Sequence, residues 1–176
     1  MINHLNGTEV PHPRNVLEES ARIARGEIKD IAELKSSNFD ALLIPGGFGV
    51  AKNLCDYAFK GAEMTVRPEI ETILKDFVSN NKVIGASCIA PVLLAKVIPG
   101  CQVTFGSRGE TWPYSGTIDD AEKWGTICVL TEADGVTTDT KNKLVTAPAF
   151  MCHHGDYNKV LQNLRGLVKG VHDLLV

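Results

Sequence analysis

KVIGASCIAPVLLAKVI, residues 82–98, is the stretch on which the fold turns. Its first half, KVIGAS (82–87), is a short apolar run of the kind found in strands buried on both faces. Its second half, IAPVLLAKVI (89–98), is an apolar helix with a proline near its opening, where the missing N–H costs nothing. Cys88 sits where one becomes the other. A buried strand that passes straight into a helix is the repeating unit of a parallel sheet.

The same alternation continues outward on both sides. ALLIPGG (41–47) reads as a second buried strand closed by a glycine turn. Pro68 then opens a helix whose Ile70, Ile73, Leu74, Phe77 and Val78 form a core-facing stripe. CQVTFG (101–106), TICVL (126–130) and KLVTAPAF (143–150) read as three further strands. Asp139-Thr140-Lys141-Asn142 has the composition of a hairpin turn between VTT and KLVTA.

WPYSGT (112–117) reads as an ordered loop anchored by Trp112 and Tyr114. Upstream, a helix is predicted over Asn15–Arg25, with Val16, Ser20, Ile23 and Ala24 on one face. At the other end Tyr157, Val160, Leu161, Leu164, Leu167, Val168, Val171 and Leu174 share the apolar face of a long helix. There is no internal repeat. The pattern predicts a single α/β domain over 1–176 with a mainly parallel sheet. A doubly wound sheet usually opens on a buried, central strand, yet the first convincing strand here starts at Ala41. Either the sheet is small or the opening β-α-β segment of the fold is missing.

Composition narrows the functional classes. The chain has 176 residues, 44% apolar and 22% charged, with a net charge of −3. That is enough chain to bury a real core, and no basic cluster points to a nucleic-acid partner. Lys96 interrupts the longest apolar run, so no membrane span is expected. The first residues, MINHLNGTEVPHP, lack the basic and apolar regions of a targeting segment. Five cysteines at 55, 88, 101, 128 and 152 form no CxxC pair and leave one over under any pairing, which fits a reducing compartment.

The chemistry-bearing candidates follow from position. Cys88 lies beyond the carboxyl end of its strand, where open α/β sheets bind ligands. Helix-start amides favour a thiolate there, and a tight turn would leave the Ile89 N–H free for an oxyanion. The alternative is an inert core cysteine, and periodicity alone does not separate the two. Gly46-Gly47-Phe48-Gly49 allows positive φ and close backbone approach, so the Gly47 N–H would be a second donor; the alternative is a turn that needs glycine for geometry alone.

His153 and His154, followed by Asp156, could complete a Cys–His–carboxylate set with Cys88; the other reading is a polar loop with Asp156 capping the last helix. His172 reads as a surface residue, and Cys55, Cys101 and Cys128 as structural. Lys52-Asn53 fits a solvated helix start better than a substrate contact. No His, Cys, Asp or Glu cluster has metal-ligand spacing, so neither a structural metal nor a cofactor is expected.

PGGFGVAKNL (45–54), CIAPVLLAKV (88–97), WPYSGT (112–117) and VTAPAFM (145–151) together resemble the ElbB glyoxalase-like branch of the PfpI superfamily, including its animal mitochondrial counterparts. The resemblance runs from about Arg14 to the C-terminus. It implies a flavodoxin-like three-layer sandwich akin to class I glutamine amidotransferase domains, with Cys88 as the elbow cysteine and Gly46, Gly47 and Ile89 around the oxyanion. It implies a cofactor-independent glyoxalase or deglycase acting on small α-oxoaldehydes, a homodimer or higher homo-oligomer, and a mitochondrial location, with the cytoplasm as the alternative. The segment that carries the family's acid/base glutamate has no match here. Glu9, Glu18 and Glu19 are not in that context, so the domain reads as N-terminally incomplete relative to the family. The alternative function is a non-catalytic protein of the same fold that senses oxidants through Cys88 or serves as a binding module.

Overall fold

The structure is a computed structural model and describes residues 3, 5–6, 8–12, 14–152 and 156–176. The chain divides into two compact units, Met1–Leu34 and Lys35–Val176.

The first unit is built on helix α1 (Val16–Ala24). Asn15 caps its start, its side chain accepting from the amides of Leu17 and Glu18 at 2.9 and 3.3 Å. Arg25 ends it in the left-handed region at φ +55, and the Gly26 N–H closes the turn on the Ala21 carbonyl at 3.0 Å. The predicted face is only half-covered: Ser20 and Ala24 are partly buried, whereas Val16 and Ile23 are exposed. A short turn, Ile31–Glu33, follows, opened by Asp30, which accepts from the Ala32 amide at 2.9 Å.

The second unit carries the sheet. Strands β1 (Ala41–Ile44), β2 (Val83–Ser87), β5 (Thr137–Asp139) and β6 (Leu144–Ala147) stand in the order β1-β2-β6-β5. β1, β2 and β6 are parallel, with Ile44 beside Ala86 and Ser87 beside Ala147. β5 is antiparallel to β6, joined by the predicted turn at Asp139–Asn142. Every residue of β2 and β6 is buried, the environment that apolar runs such as VIGAS demand.

Helix α6 (Tyr157–Asp173) covers one face, its Leu167 and Val171 packed on Val83, Val145 and Ala147. The buried stripe is narrower than the predicted one. Val160, Leu167 and Val171 are inside with Asn163, while Tyr157, Leu161 and Val168 are exposed. Helices α3 (Pro68–Ser79) and α4 (Pro91–Val97) pack on each other, and α3 also packs on β2. α3 buries Ile70, Ile73, Leu74 and Phe77; Val78 is half-buried. Helices thus flank a mainly parallel sheet, the flavodoxin-like class the sequence predicts.

The structure differs from the sequence reading in five places. CQVTFG keeps only Gln102–Val103 as strand β3, which pairs in parallel with β4 (Ile127–Cys128), all that remains of TICVL, in a separate two-stranded ladder. β3 stops because the Thr104 amide donates to the Thr146 hydroxyl at 2.9 Å, and because Gly106 turns to φ +98 beneath the buried Trp112 ring. KLVTAPAF keeps only Leu144–Ala147, because Pro148 has no N–H for a ladder and Ala149 takes φ +47. Gly116–Lys123 forms helix α5, where the sequence reads as a loop up to Thr117; Thr117, Ile118 and Ala121 are its buried residues. Val50–Leu54 is a single π turn followed by the one-turn helix α2 (Tyr57–Lys60).

Asp139 ties β5 to β3. Its carboxylate accepts from the Gln102 amide at 2.8 Å and from the Asn142 amide and side chain at 3.0 and 2.7 Å. Burial pushes this carboxyl up, but the hydrogen bonds from Asn142, Gln102 and Lys141 outweigh it and hold the group below its ordinary value. A carboxyl so lowered stabilises the fold above its unfolded-chain pKa of about 3.9 and loses that contribution as pH falls through the lowered value. Urea midpoints measured between about pH 6 and pH 3 should therefore fall further for the wild type than for Asp139→Asn. Parallel losses in the two proteins would show that Asp139 is not part of the acid sensitivity.

Candidate functional site

The end of β1 and the end of β2 meet at a backbone contact that excludes any side chain at position 46. A Cβ built on Gly46 would lie 2.5 Å from the Cys88 Cβ, 2.7 Å from the Ser87 carbonyl oxygen and 3.2 Å from the Ile89 nitrogen. Gly47 has a different reason to be glycine: its φ is +99, and none of the described residues stands within 4 Å of where its Cβ would be. The two strand-to-helix turns are therefore in van der Waals contact at Gly46.

Cys88 itself has φ +58, a conformation that costs a non-glycine residue about 1–2 kcal/mol. Its N–H donates to the Ala147 carbonyl at 2.9 Å, which ties the turn to the end of β6. The chain then enters α4 through Ile89 and Ala90, and the Ala90 N–H closes on the Ser87 carbonyl at 3.0 Å. Among the described residues the amides of Gly47 and Ile89 have no acceptor. Cys88 is half-buried, and its sulfur makes no hydrogen bond among the described residues.

Three other cysteines are placed differently. The thiols of Cys55, Cys101 and Cys128 point at the carbonyls of Val50, Leu94 and Ile118 at 3.5, 3.7 and 3.8 Å. Burial raises the Cys55 thiol above its ordinary value. Burial, with the Asp139 carboxylate adding to it, pushes Cys101 up to about 12, and burial with the nearby Glu122 carboxylate pushes Cys128 up to about 11. Cys152 is half-buried and follows the short turn after β6.

Of the residues the sequence singled out, Cys88, Gly46, Gly47 and Ile89 come together at one end of the sheet. His153 and His154 lie outside the described residues. Asp156 caps α6, its carboxylate accepting from the Asn158 amide at 2.8 Å. His172 is on the exposed side of that helix. Lys52 lies with its ammonium 5.2 Å from the centre of the exposed Phe48 ring. No group of three or more His, Cys, Asp or Glu among the described residues could hold a metal ion, and no helix there is long and apolar enough to cross a membrane.

Sequence reasoning missed Asn163 and Ala149. Asn163 is fully buried on the α6 stripe, accepts from the Ala149 amide at 2.9 Å and donates to the Gly135 carbonyl. Ala149, at φ +47, is two residues past the carbonyl that receives the Cys88 N–H. An amide among Val160, Leu167 and Val171 was the one visible signal.

Residues 27–147 match the DJ-1/PfpI family. The chain belongs to that family. It is 43% identical over 178 residues to the mitochondrial ES1 protein homolog of Rattus norvegicus, an alignment that covers 99% of this chain and 66% of that protein. It is 47% identical over 156 residues to the mitochondrial glutamine amidotransferase-like class 1 domain-containing protein 3 of Homo sapiens, covering 86% of this chain and 58% of that protein. The chain therefore spans less than two thirds of the length of these curated relatives' chains, or close to that share. Among solved structures, the isoprenoid biosynthesis protein with amidotransferase-like domain from Ehrlichia chaffeensis superposes with a TM-score of 0.83 at 30% identity, covering 100% of this chain and 78% of that one. The mitochondrial names of these relatives agree with the location the sequence resemblance implies.

The contact at Gly46 yields a direct test. Gly46→Ala must displace the Cys88 turn, at a cost on the order of 1–3 kcal/mol in urea unfolding, and should change the rate at which iodoacetamide alkylates Cys88. Gly49→Ala is the control: Gly49 has helical dihedrals of −59 and −36, and its nearest new neighbour is Asn53 Nδ2 at 3.7 Å. It should leave both stability and alkylation close to wild type.

Proposed function

We propose that this protein is a cofactor-independent glyoxalase or deglycase-like enzyme of the ElbB branch, with Cys88 as nucleophile and small α-oxoaldehydes as substrates. The observation that carries the reading is the strained turn at Cys88, φ +58, held against Gly46, with the Ile89 and Gly47 amides lacking an acceptor among the described residues. Strain of this kind persists where surrounding structure over-determines it, and unpaired amides beside a nucleophile suit an oxyanion.

In the proposed reaction the Cys88 thiolate adds to the aldehyde carbon, and the new alkoxide is received by the Gly47 and Ile89 amides. The hydrogen on that carbon then moves as a proton to the neighbouring carbon, the adduct becomes a thioester, and the neighbouring oxygen, now the alkoxide, takes from solvent the proton that the thiol had released and becomes a hydroxyl. Water attacks the thioester, the C–S bond breaks, and a 2-hydroxy acid leaves with Cys88 again a thiol. Oxidation at one carbon balances reduction at the next, so no external redox partner is consumed. The protein would work as a homo-oligomer in the mitochondrion, where the names of its relatives put them.

A second reading is favoured by the incomplete burial of Cys88: oxidation by hydrogen peroxide to a sulfinic acid, with two peroxides reduced to water. The deciding assay follows methylglyoxal consumption and lactate formation by the purified protein and by Cys88→Ser. Turnover by the wild type, lost in Cys88→Ser and kept in Cys128→Ser, supports the enzyme. No lactate above the Cys88→Ser background, together with a gain of two oxygen atoms on the Cys88 peptide after peroxide, would overturn it in favour of the sensor.

A further inference from the structure

The geometry points to Asn163 as a positioning residue for the Cys88 turn, acting through Ala149. This rests on the reading of Cys88 as a reactive thiol and adds to it the device that holds its surroundings. The links are short. Asn163 Oδ1 accepts from the Ala149 amide at 2.9 Å, and its Nδ2 donates to the Gly135 carbonyl. Ala149 sits at φ +47, two residues beyond Ala147, whose carbonyl receives the Cys88 N–H at 2.9 Å. Two non-glycine residues in the left-handed region, Cys88 and Ala149, thus stand just past the ends of adjacent strands; the Cys88 N–H is bonded to Ala147, two residues before Ala149, and Asn163 braces Ala149.

Packing alone would not choose this residue. Val160, Asn163, Leu167 and Val171 are the buried positions of α6, and an apolar side chain at 163 would complete the stripe. Neither bond of Asn163 closes a helix or a sheet ladder. Each instead fixes a connecting segment, the chain before β5 at Gly135 and the chain after β6 at Ala149. Without the Oδ1 acceptor the buried Ala149 amide loses its partner and the left-handed turn loses one of its restraints. Pro148 and the Ala147 carbonyl, and with them the Cys88 N–H, would be free to shift.

The test reads Cys88 directly, so it does not depend on any aldehyde being turned over. Iodoacetamide alkylation of Cys88, followed on its peptide by mass, is measured against pH well below the unfolding temperature. The proteins compared are wild type, Asn163→Leu, Asn163→Asp and Leu167→Ala, whose side chain is buried on the same stripe. Asn163→Leu should change the Cys88 rate by roughly fivefold or more, the effect of one ordinary hydrogen bond, or move the inflection of its pH profile.

Asn163→Asp, whose buried carboxyl stays protonated and can both accept from Ala149 and donate to Gly135, should return near-neutral behaviour to wild type. Leu167→Ala should lower the Tm and leave the profile unchanged. If Asn163→Leu does not fold, Asn163→Ser carries the same comparison. An unchanged Cys88 profile in the Asn163 variants, or an equal change in Leu167→Ala, would overturn the proposal and leave Asn163 a structural residue. Loss of methylglyoxal turnover with the Asn163 effect intact would instead count against the enzyme reading alone.

Discussion

The ends of β1 and β2 can approach as they do only because residue 46 has no side chain. The 2.5 Å that would separate a Gly46 Cβ from the Cys88 Cβ is shorter than any tolerable contact, and the obstacles on two sides are backbone atoms that cannot rotate away. From this contact the rest of the site follows. Cys88 must leave its strand abruptly, in the left-handed region, and its N–H is delivered to the Ala147 carbonyl. β2 is thereby tied at its end to both neighbours at once. The strain persists because β2 and β6 are buried along their whole length.

A second constraint acts on the other side of the sheet and is polar. Thr146 on β6 receives the Thr104 amide, Thr104 Oγ1 receives the Gly106 amide and lies 2.8 Å from Thr131 Oγ1, and Asp139 receives the Gln102 amide. Side chains here take over hydrogen bonds that a longer β3 would have made to a neighbouring strand. The small β3–β4 ladder is thus fastened to the main sheet by hydroxyls and a carboxylate, and buried polar groups of this kind specify one arrangement because any other leaves them unpaired.

That difference explains what was legible from the sequence. KVIGAS and IAPVLLAKVI announce themselves because burial on all sides leaves only apolar residues, and the Cys88 turn between them inherits that clarity. The hairpin at Asp139 and the terminal helix were legible for local reasons, a turn composition and a 3.6-residue period. CQVTFG was overextended because Thr104 and Phe105 suit a strand in isolation, and only the fold reveals that the Thr104 amide is claimed by Thr146. Helix α5 escaped notice because its buried side is just Thr117, Ile118 and Ala121, too few to print a period among acidic neighbours. The width of the α6 stripe and the part played by Asn163 depend on which residues lie opposite, and a helical period carries no information on that.

Four of the five cysteines show how one fold gives one side-chain type different surroundings. At Cys55, Cys101 and Cys128 burial is the largest effect and penalises the anion, and each sulfur lies at a backbone carbonyl. Asp139, needed to fasten β3, adds a further penalty at Cys101. These thiols fill space and stay protonated at neutral pH. Cys88 is placed differently, through backbone geometry. The turn that Gly46 permits carries its side chain beyond the carboxyl end of the sheet, away from any carbonyl acceptor among the described residues. The distinction of Cys88 therefore comes from the glycine opposite it, and any substitution that restores a Cβ at 46 acts on the thiol without touching the sulfur.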